Sequence, residues 1–228
     1  MTTAGVALVH GSNLSSDCWQ PVLDHLRAPA VAVDLPGRGG RPADIVHVTL
    51  DDCVEAVVES SDDAGFDRFV LVGHSLGGVV VTEVAARYGE RVSRLVYLGA
   101  LIPAVGQSAA DVMFGDDLPT TRPQAATEER AKFFFANDMT DEQWQGVWRQ
   151  FVPESPLLWN ARLHGYPRDT PVTYISLTDD VGVPLPVARR MAANLGTDVE
   201  HRSLTAGHLA MATRPRELAR IIDELVNC

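Results

Sequence analysis

The chain has 228 residues, 46% of them hydrophobic and 21% charged, with a net charge of −11. That length allows one large domain or two small ones with a substantial core, and the negative charge argues against nucleic acid and anionic membranes as partners. Cys18, Cys53 and Cys228 are odd in number and widely spaced, which excludes a disulfide framework or a zinc pattern and fits a reducing compartment. The first residues lack a basic region, and no apolar stretch reaches membrane-spanning length. A cytoplasmic, single-domain protein without cofactor or metal is expected.

In chain order, residues 6–9 read as a buried strand, followed by the polar turn His10-Gly11-Ser12-Asn13. Ser16 or Asp17 can cap a helix to about residue 27, with Trp19, Val22, Leu23 and Leu26 on one face. Residues 30–35 form the second strand, and Pro36-Gly37-Arg38-Gly39-Gly40-Arg41-Pro42 has the composition of a mobile loop. Thr49 caps a helix ending near residue 60. Residues 69–72 (F-V-L-V) are a short strand rich in Val. Strands are also expected at 91–99, 171–177 and 199–204, and helices at 187–195 and 216–226. Strands alternating with helices imply right-handed crossovers and a parallel sheet covered on both faces.

Residues 103–168 break that alternation. They show helical patterns near 128–136 and 141–151 and contain Phe133, Phe134, Phe135, Trp144, Trp148, Phe151 and Trp159. An insertion after a strand's C-terminal end sits over the edge where α/β proteins bind ligands. The expected division is therefore a core of residues 1–102 and 169–228 with a helical cap of 103–168. Most of the cap aromatics should form its own small core. Trp144, Trp148 and Trp159, with Leu209 of the core, are the candidates to line an apolar pocket.

The chemistry centres on Gly73-His74-Ser75-Leu76-Gly77, between a strand and a helix. Glycines flanking a serine at −2 and +2 allow a turn so sharp that the hydroxyl stands clear of the sheet. A serine nucleophile needs a base, and the base an orienting acid. Of seven histidines, His208 lies in a short loop after the last strand, at the same sheet edge as Ser75. His74 and His10 read as structural hydrogen-bonders. Asp179 and Asp180 follow the fifth strand, and one of them should accept the N–H of His208. Asp34 reads as a turn former. The oxyanion hole would take the backbone N–H groups of Leu76 and Ser12.

Together H-G-S, D-L-P-G-R-G, G-H-S-L-G-G, T-D-D-V-G-V-P and A-G-H-L-A-M resemble the α/β-hydrolase superfamily over essentially the whole chain. The short N-terminus resembles the branch containing plant methylesterases and hydroxynitrile lyases, with their bacterial relatives. The resemblance implies a mainly parallel sheet of about six strands with a helical cap after the fourth. Matching the branch's T-x-D-x-x-x-P pattern onto Thr178, Asp180 and Pro184 selects Asp180 as the acid. Hydroxynitrile lyases place a Lys directly after the motif histidine; Leu209 stands there, which favours ester hydrolysis. The expected activity is a cofactor-free serine esterase acting on a small, apolar carboxylic ester or lactone. The competing expectations are a lyase, dehydratase or cyclase moving protons at the same site, and a non-catalytic ligand binder. The expected partner is that small molecule; a homodimer is compatible with the sequence.

Overall fold

The computed structural model describes residues 4–167, 169–196 and 198–226. Cys228, and Arg168 at the end of the expected cap, lie outside them. Six strands, β1 (Ala4–Val9), β2 (Ala30–Val33), β3 (Arg68–His74), β4 (Val92–Leu98), β5 (Val172–Leu177) and β6 (Val199–Leu204), form one sheet in the order β2-β1-β3-β4-β5-β6. Every pairing is parallel.

Ten α-helices accompany the strands among the described residues: α1 (Gln20–Leu23), α2 (Leu50–Asp63), α3 (Gly77–Arg87), α4 (Ala109–Phe114), α5 (Glu128–Phe135), α6 (Asp141–Trp148), α7 (Pro156–Asn160), α8 (Leu185–Ala192), α9 (Ala210–Thr213) and α10 (Pro215–Val226). Alternate strand residues point to opposite faces, and the core divides accordingly. Ala7, Val9 and Leu71 pack with α2, α3 and α8. Val6, Leu8, Val70 and Val72 pack with α1, α9 and α10. The central strands are therefore apolar on both sides, as a doubly covered parallel sheet requires.

Local signals set several boundaries. Thr49 and Asp52 make a capping box for α2, and Ser108 with Asp111 and Thr140 with Gln143 do the same for α4 and α6, each satisfying two otherwise orphaned N–H groups. The first helix is shorter than its periodicity predicts: a 3-10 turn (Ser16–Trp19) leads into α1, which ends at Leu23. The N–H groups of Arg27 and Ala28 donate instead to the Asp223 carboxylate on α10, so no helical ladder can continue through them.

The insertion after β4 carries α4 to α7. Of these, α5 and α6 follow the expected patterns, whereas α4 and α7 are additions. Trp144, Ala131 and Ala136 form its own small core with Trp148 and Phe151 against it. The Pro36–Pro42 segment is not the mobile loop its composition suggests. Arg38 is buried in an ion pair with Glu154 of the insertion. Asp34 accepts the N–H groups of Ser16 and Gly40, the turn role expected of it.

Candidate active site

The loop joining β3 to α3 is built by close packing. Ser75 has φ 51°, a conformation that costs an L-residue energy and is kept only where the surroundings enforce it. A Cβ at Gly77 would lie 2.6 Å from His10 O, and one at Gly73 would lie 2.5 Å from Val81. Gly78 has a similar role: its Cβ would meet Leu101 O at 2.5 Å. The two flanking glycines therefore let the chain turn, and the third lets α3 approach the segment after β4. The Ser75 carbonyl accepts the N–H groups of Gly78 and Leu101 at 3.0 and 2.9 Å, which holds the strained turn from both sides.

His208 lies between β6 and α9, and Asp180 in the turn after β5. The Ser75 hydroxyl is 3.0 Å from His208 Nε2, and His208 Nδ1 is 2.8 Å from Asp180 Oδ2. Asp180 Oδ1 accepts the Val183 N–H at 2.8 Å, so both carboxylate oxygens are engaged and the acid is fixed. Asp179, by contrast, is exposed, and its side chain accepts the Thr178 hydroxyl. All three members of the Ser75–His208–Asp180 array are at least nine-tenths buried. In that setting Nδ1–H donates to the carboxylate and Nε2 accepts from the serine, the tautomer a general base needs.

The loop after β1 presses against the serine. A Cβ at Gly11 would sit 2.7 Å from Ser75 Cβ and 2.9 Å from His74 Nδ1. Ser12 follows Gly11 in this loop, and Leu76 follows Ser75 at the start of α3. Two further histidines brace the site. His74 Nε2–H donates to the His208 carbonyl at 2.8 Å. His10 Nδ1–H donates to Gly11 O at 2.9 Å, while its Nε2 accepts the Leu35 N–H at 3.3 Å. Burial, aided by the Arg38 charge, lowers the His10 pKa to about 3. Burial and the neighbouring His208 hold His74 well below the usual imidazole range. Both braces are neutral.

A narrow crevice lies beside the array. Ser12, His74 and His208 form its polar side, and Leu14, Leu209, Phe135 and Phe151 its apolar side. The structure places Leu209 there but not the three tryptophans. Trp144 is fully buried inside the insertion, its Nε1–H donating to Glu128 and its ring stacked on Trp148. Trp159 packs against Phe114 on the other side of the sheet. Phe135 and Phe151 take their place, while Trp144 and Trp148 on α6 turn toward α5 and pack with Ala131 in the insertion's own core. A larger open groove beside β5, β6 and α8 is lined by Ser176, Arg189 and His201; among the described residues no serine–histidine hydrogen bond lies there, so chemistry rather than size locates the site. Among the described residues no group of three or more His, Cys, Asp or Glu side chains could hold a metal ion, and no helix is long and apolar enough to cross a membrane.

The pyrethroid hydrolase of Sphingobium wenxiniae is 25% identical, aligned over 100% of this chain and 89% of its own. Methylesterase 7 of Arabidopsis thaliana is 26% identical over 96% of this chain and 95% of its own. Among solved structures, an extracellular alpha/beta-hydrolase from a Paenibacillus species superimposes with a TM-score of 0.83 at 22% identity, covering 98% of each chain. The sequence pattern of the alpha/beta hydrolase family spans residues 6–221. The chain belongs to the alpha/beta hydrolase family.

Proposed function

We propose that the protein is a serine esterase that hydrolyses small, uncharged, largely apolar carboxylic esters or lactones. The observation that carries this reading is the continuous hydrogen-bonded array Ser75–His208–Asp180, with distances of 3.0 and 2.8 Å. His208 takes the Ser75 proton as Oγ attacks the ester carbonyl, and Asp180 stabilises the imidazolium that forms. The N–H groups of Ser12 and Leu76 receive the developing oxyanion. The intermediate collapses as His208 protonates the leaving alcohol, and the acyl group remains on Ser75. Water deprotonated by the same histidine then releases the acid and restores the enzyme.

The substrate class follows from the crevice and from the relatives. Leu14, Leu209, Phe135 and Phe151 offer an apolar wall and no cation, which suits a neutral acyl or alcohol group. Relatives along the full chain are named as a pyrethroid hydrolase and a methylesterase. The decisive test pairs p-nitrophenyl acetate hydrolysis with fluorophosphonate labelling. The wild type should turn over the ester and be labelled at Ser75. Ser75→Ala should lose both, with at least a thousandfold fall in kcat. Turnover by Ser75→Ala at the wild-type rate would remove the reading.

A further inference from the structure

Asn13 and Ser75 are the two non-glycine residues with positive φ among those described, at 64° and 51°. Asn13 directly follows Ser12, which the proposed mechanism uses as an oxyanion donor. Asn tolerates the left-handed region better than most residues, but not without support. That support comes almost wholly from the insertion. Asn13 Nδ2 donates to Val152 O at 2.8 Å and to Gln124 O at 3.2 Å. Its backbone N–H donates to Glu154 Oε2 at 3.4 Å, and its carbonyl accepts the Val152 N–H at 3.1 Å. On the near side, the Ser12 hydroxyl donates to Asn13 Oδ1 at 2.9 Å.

Glu154 is the anchor of this set. Its Oε1 accepts from the Arg38 guanidinium and from the Ser155 N–H, and the side chains of Arg38 and Glu154 are 0% and 1% exposed. Gln124 and Glu154 also exchange backbone hydrogen bonds at 2.8 Å in each direction, so the acceptors that meet Asn13 are tied to one another. An apolar contact could hold the insertion down equally well, since burying an ion pair is a poor route to stability. What a buried pair can do instead is fix one geometry: Glu154 is hydrogen-bonded through both carboxylate oxygens, and Arg38 through both terminal nitrogens. Gly11 is pressed on Ser75 and Asn13 is fastened to the insertion, so the Ser12 peptide lies between two anchored points.

We infer that Asn13 and the Arg38-paired Glu154 are positioning residues for the oxyanion hole, linking the seating of the insertion to the placement of the Ser12 N–H. The inference rests on the proposed use of Ser12 and Leu76 as oxyanion donors. A hole of this kind binds charge present in the transition state and not in the bound ester, so its misplacement lowers kcat and leaves KM nearly unchanged. A brace that only held the insertion in place would change thermal stability and KM instead.

The test uses Asn13→Ala, Asn13→Gly and Glu154→Gln in the full chain. Each is measured for kcat and KM on p-nitrophenyl acetate and for inhibition by a small trifluoromethyl ketone. With that inhibitor, Ser75 Oγ adds to the carbonyl carbon, its proton passes to His208, and the adduct's oxyanion occupies the hole. Asn13→Ala and Glu154→Gln should lower kcat roughly 10- to 100-fold, less than deleting a donor outright. KM should stay within about threefold, and ketone affinity should fall by the same factor as kcat/KM. Asn13→Gly keeps the backbone accessible but loses the tethers, so it should fall between wild type and Asn13→Ala. If Glu154→Gln does not fold because Arg38 is left unpaired, the two Asn13 variants decide by the same criteria. Variants with kcat and ketone affinity within about twofold of wild type, or a loss confined to KM, overturn the inference. A wild type insensitive to the ketone would instead overturn the underlying esterase reading.

Discussion

Phe135, the last residue of α5, lies over the imidazole of His208 with ring centroids 5.0 Å apart and 25° between the planes. It also lines the crevice beside Ser75. One side chain of the insertion therefore both covers the base and limits the space for substrate. Phe135→Ala should enlarge that space. The ratio of kcat/KM for p-nitrophenyl butyrate to that for the acetate should rise roughly tenfold, since two buried methylenes are worth about 0.8 kcal/mol each. Assays over an acyl-length series check this; an unchanged ratio would assign Phe135 to packing alone.

The two aspartates after β5 are distinguishable by experiment as they are by geometry. Asp180 meets His208 at 2.8 Å, and Asp179 faces solvent. Asp180→Asn keeps the shape but favours the wrong imidazole tautomer, so kcat should fall by about 10²- to 10⁴-fold. Asp179→Asn should leave kcat within about threefold, as expected for a surface substitution away from the reacting groups. Steady-state assays on both variants settle the assignment, and equal losses would contradict it.

Gly11 has no room for a side chain. A methyl group there would approach Ser75 Cβ to 2.7 Å and His74 Nδ1 to 2.9 Å, and neither atom belongs to a flexible side-chain end. Gly11→Ala should therefore shift the nucleophile or the first loop. A destabilisation of about 1–3 kcal/mol is expected from the overpacking, with a loss of at least tenfold in kcat from misplacement of reacting groups. Urea unfolding and steady-state rates measure the two effects separately.

Folding stability should fall as the medium becomes acidic. His10, with its pKa lowered to about 3, and His74, lowered well below 6.5, are both neutral in the folded chain. Once unfolded, each takes up a proton as pH drops below about 6.5. The unfolded state therefore binds more protons in that window, and stability rises with pH there. For His10 the window closes near pH 3. The slope is at most about 1.4 kcal/mol per pH unit for each histidine. His10→Asn retains a donor for the Gly11 carbonyl but cannot titrate. Urea midpoints measured from pH 7 to pH 4 should show a shallower dependence for that variant than for wild type.

Much of this architecture was written into local pattern. A Val-rich run ending in G-H-S-L-G reads as a buried strand and a tight turn, since glycine stands at the two positions where a side chain would collide. The order Ser75, Asp180, His208 follows from strands that each end at the same sheet edge, and parallel crossovers enforce that arrangement. Positions decided by partners distant in sequence could not be read this way. Arg38 sits in a glycine- and proline-rich loop that looks mobile until Glu154, 116 residues later, buries it. Periodicity carries α1 past Leu23, but Asp223, 196 residues away, captures the N–H of Arg27. The insertion's aromatics are visible in the sequence, whereas the ones that face the serine depend on how α5 and α6 rotate against each other and the sheet. Trp144 is buried inside the insertion, and Phe135 and Phe151 line the crevice. Short-range sterics and strand direction are properties of the chain itself; the pairing of buried charges and the facing of a docked helix pair exist only once distant segments meet.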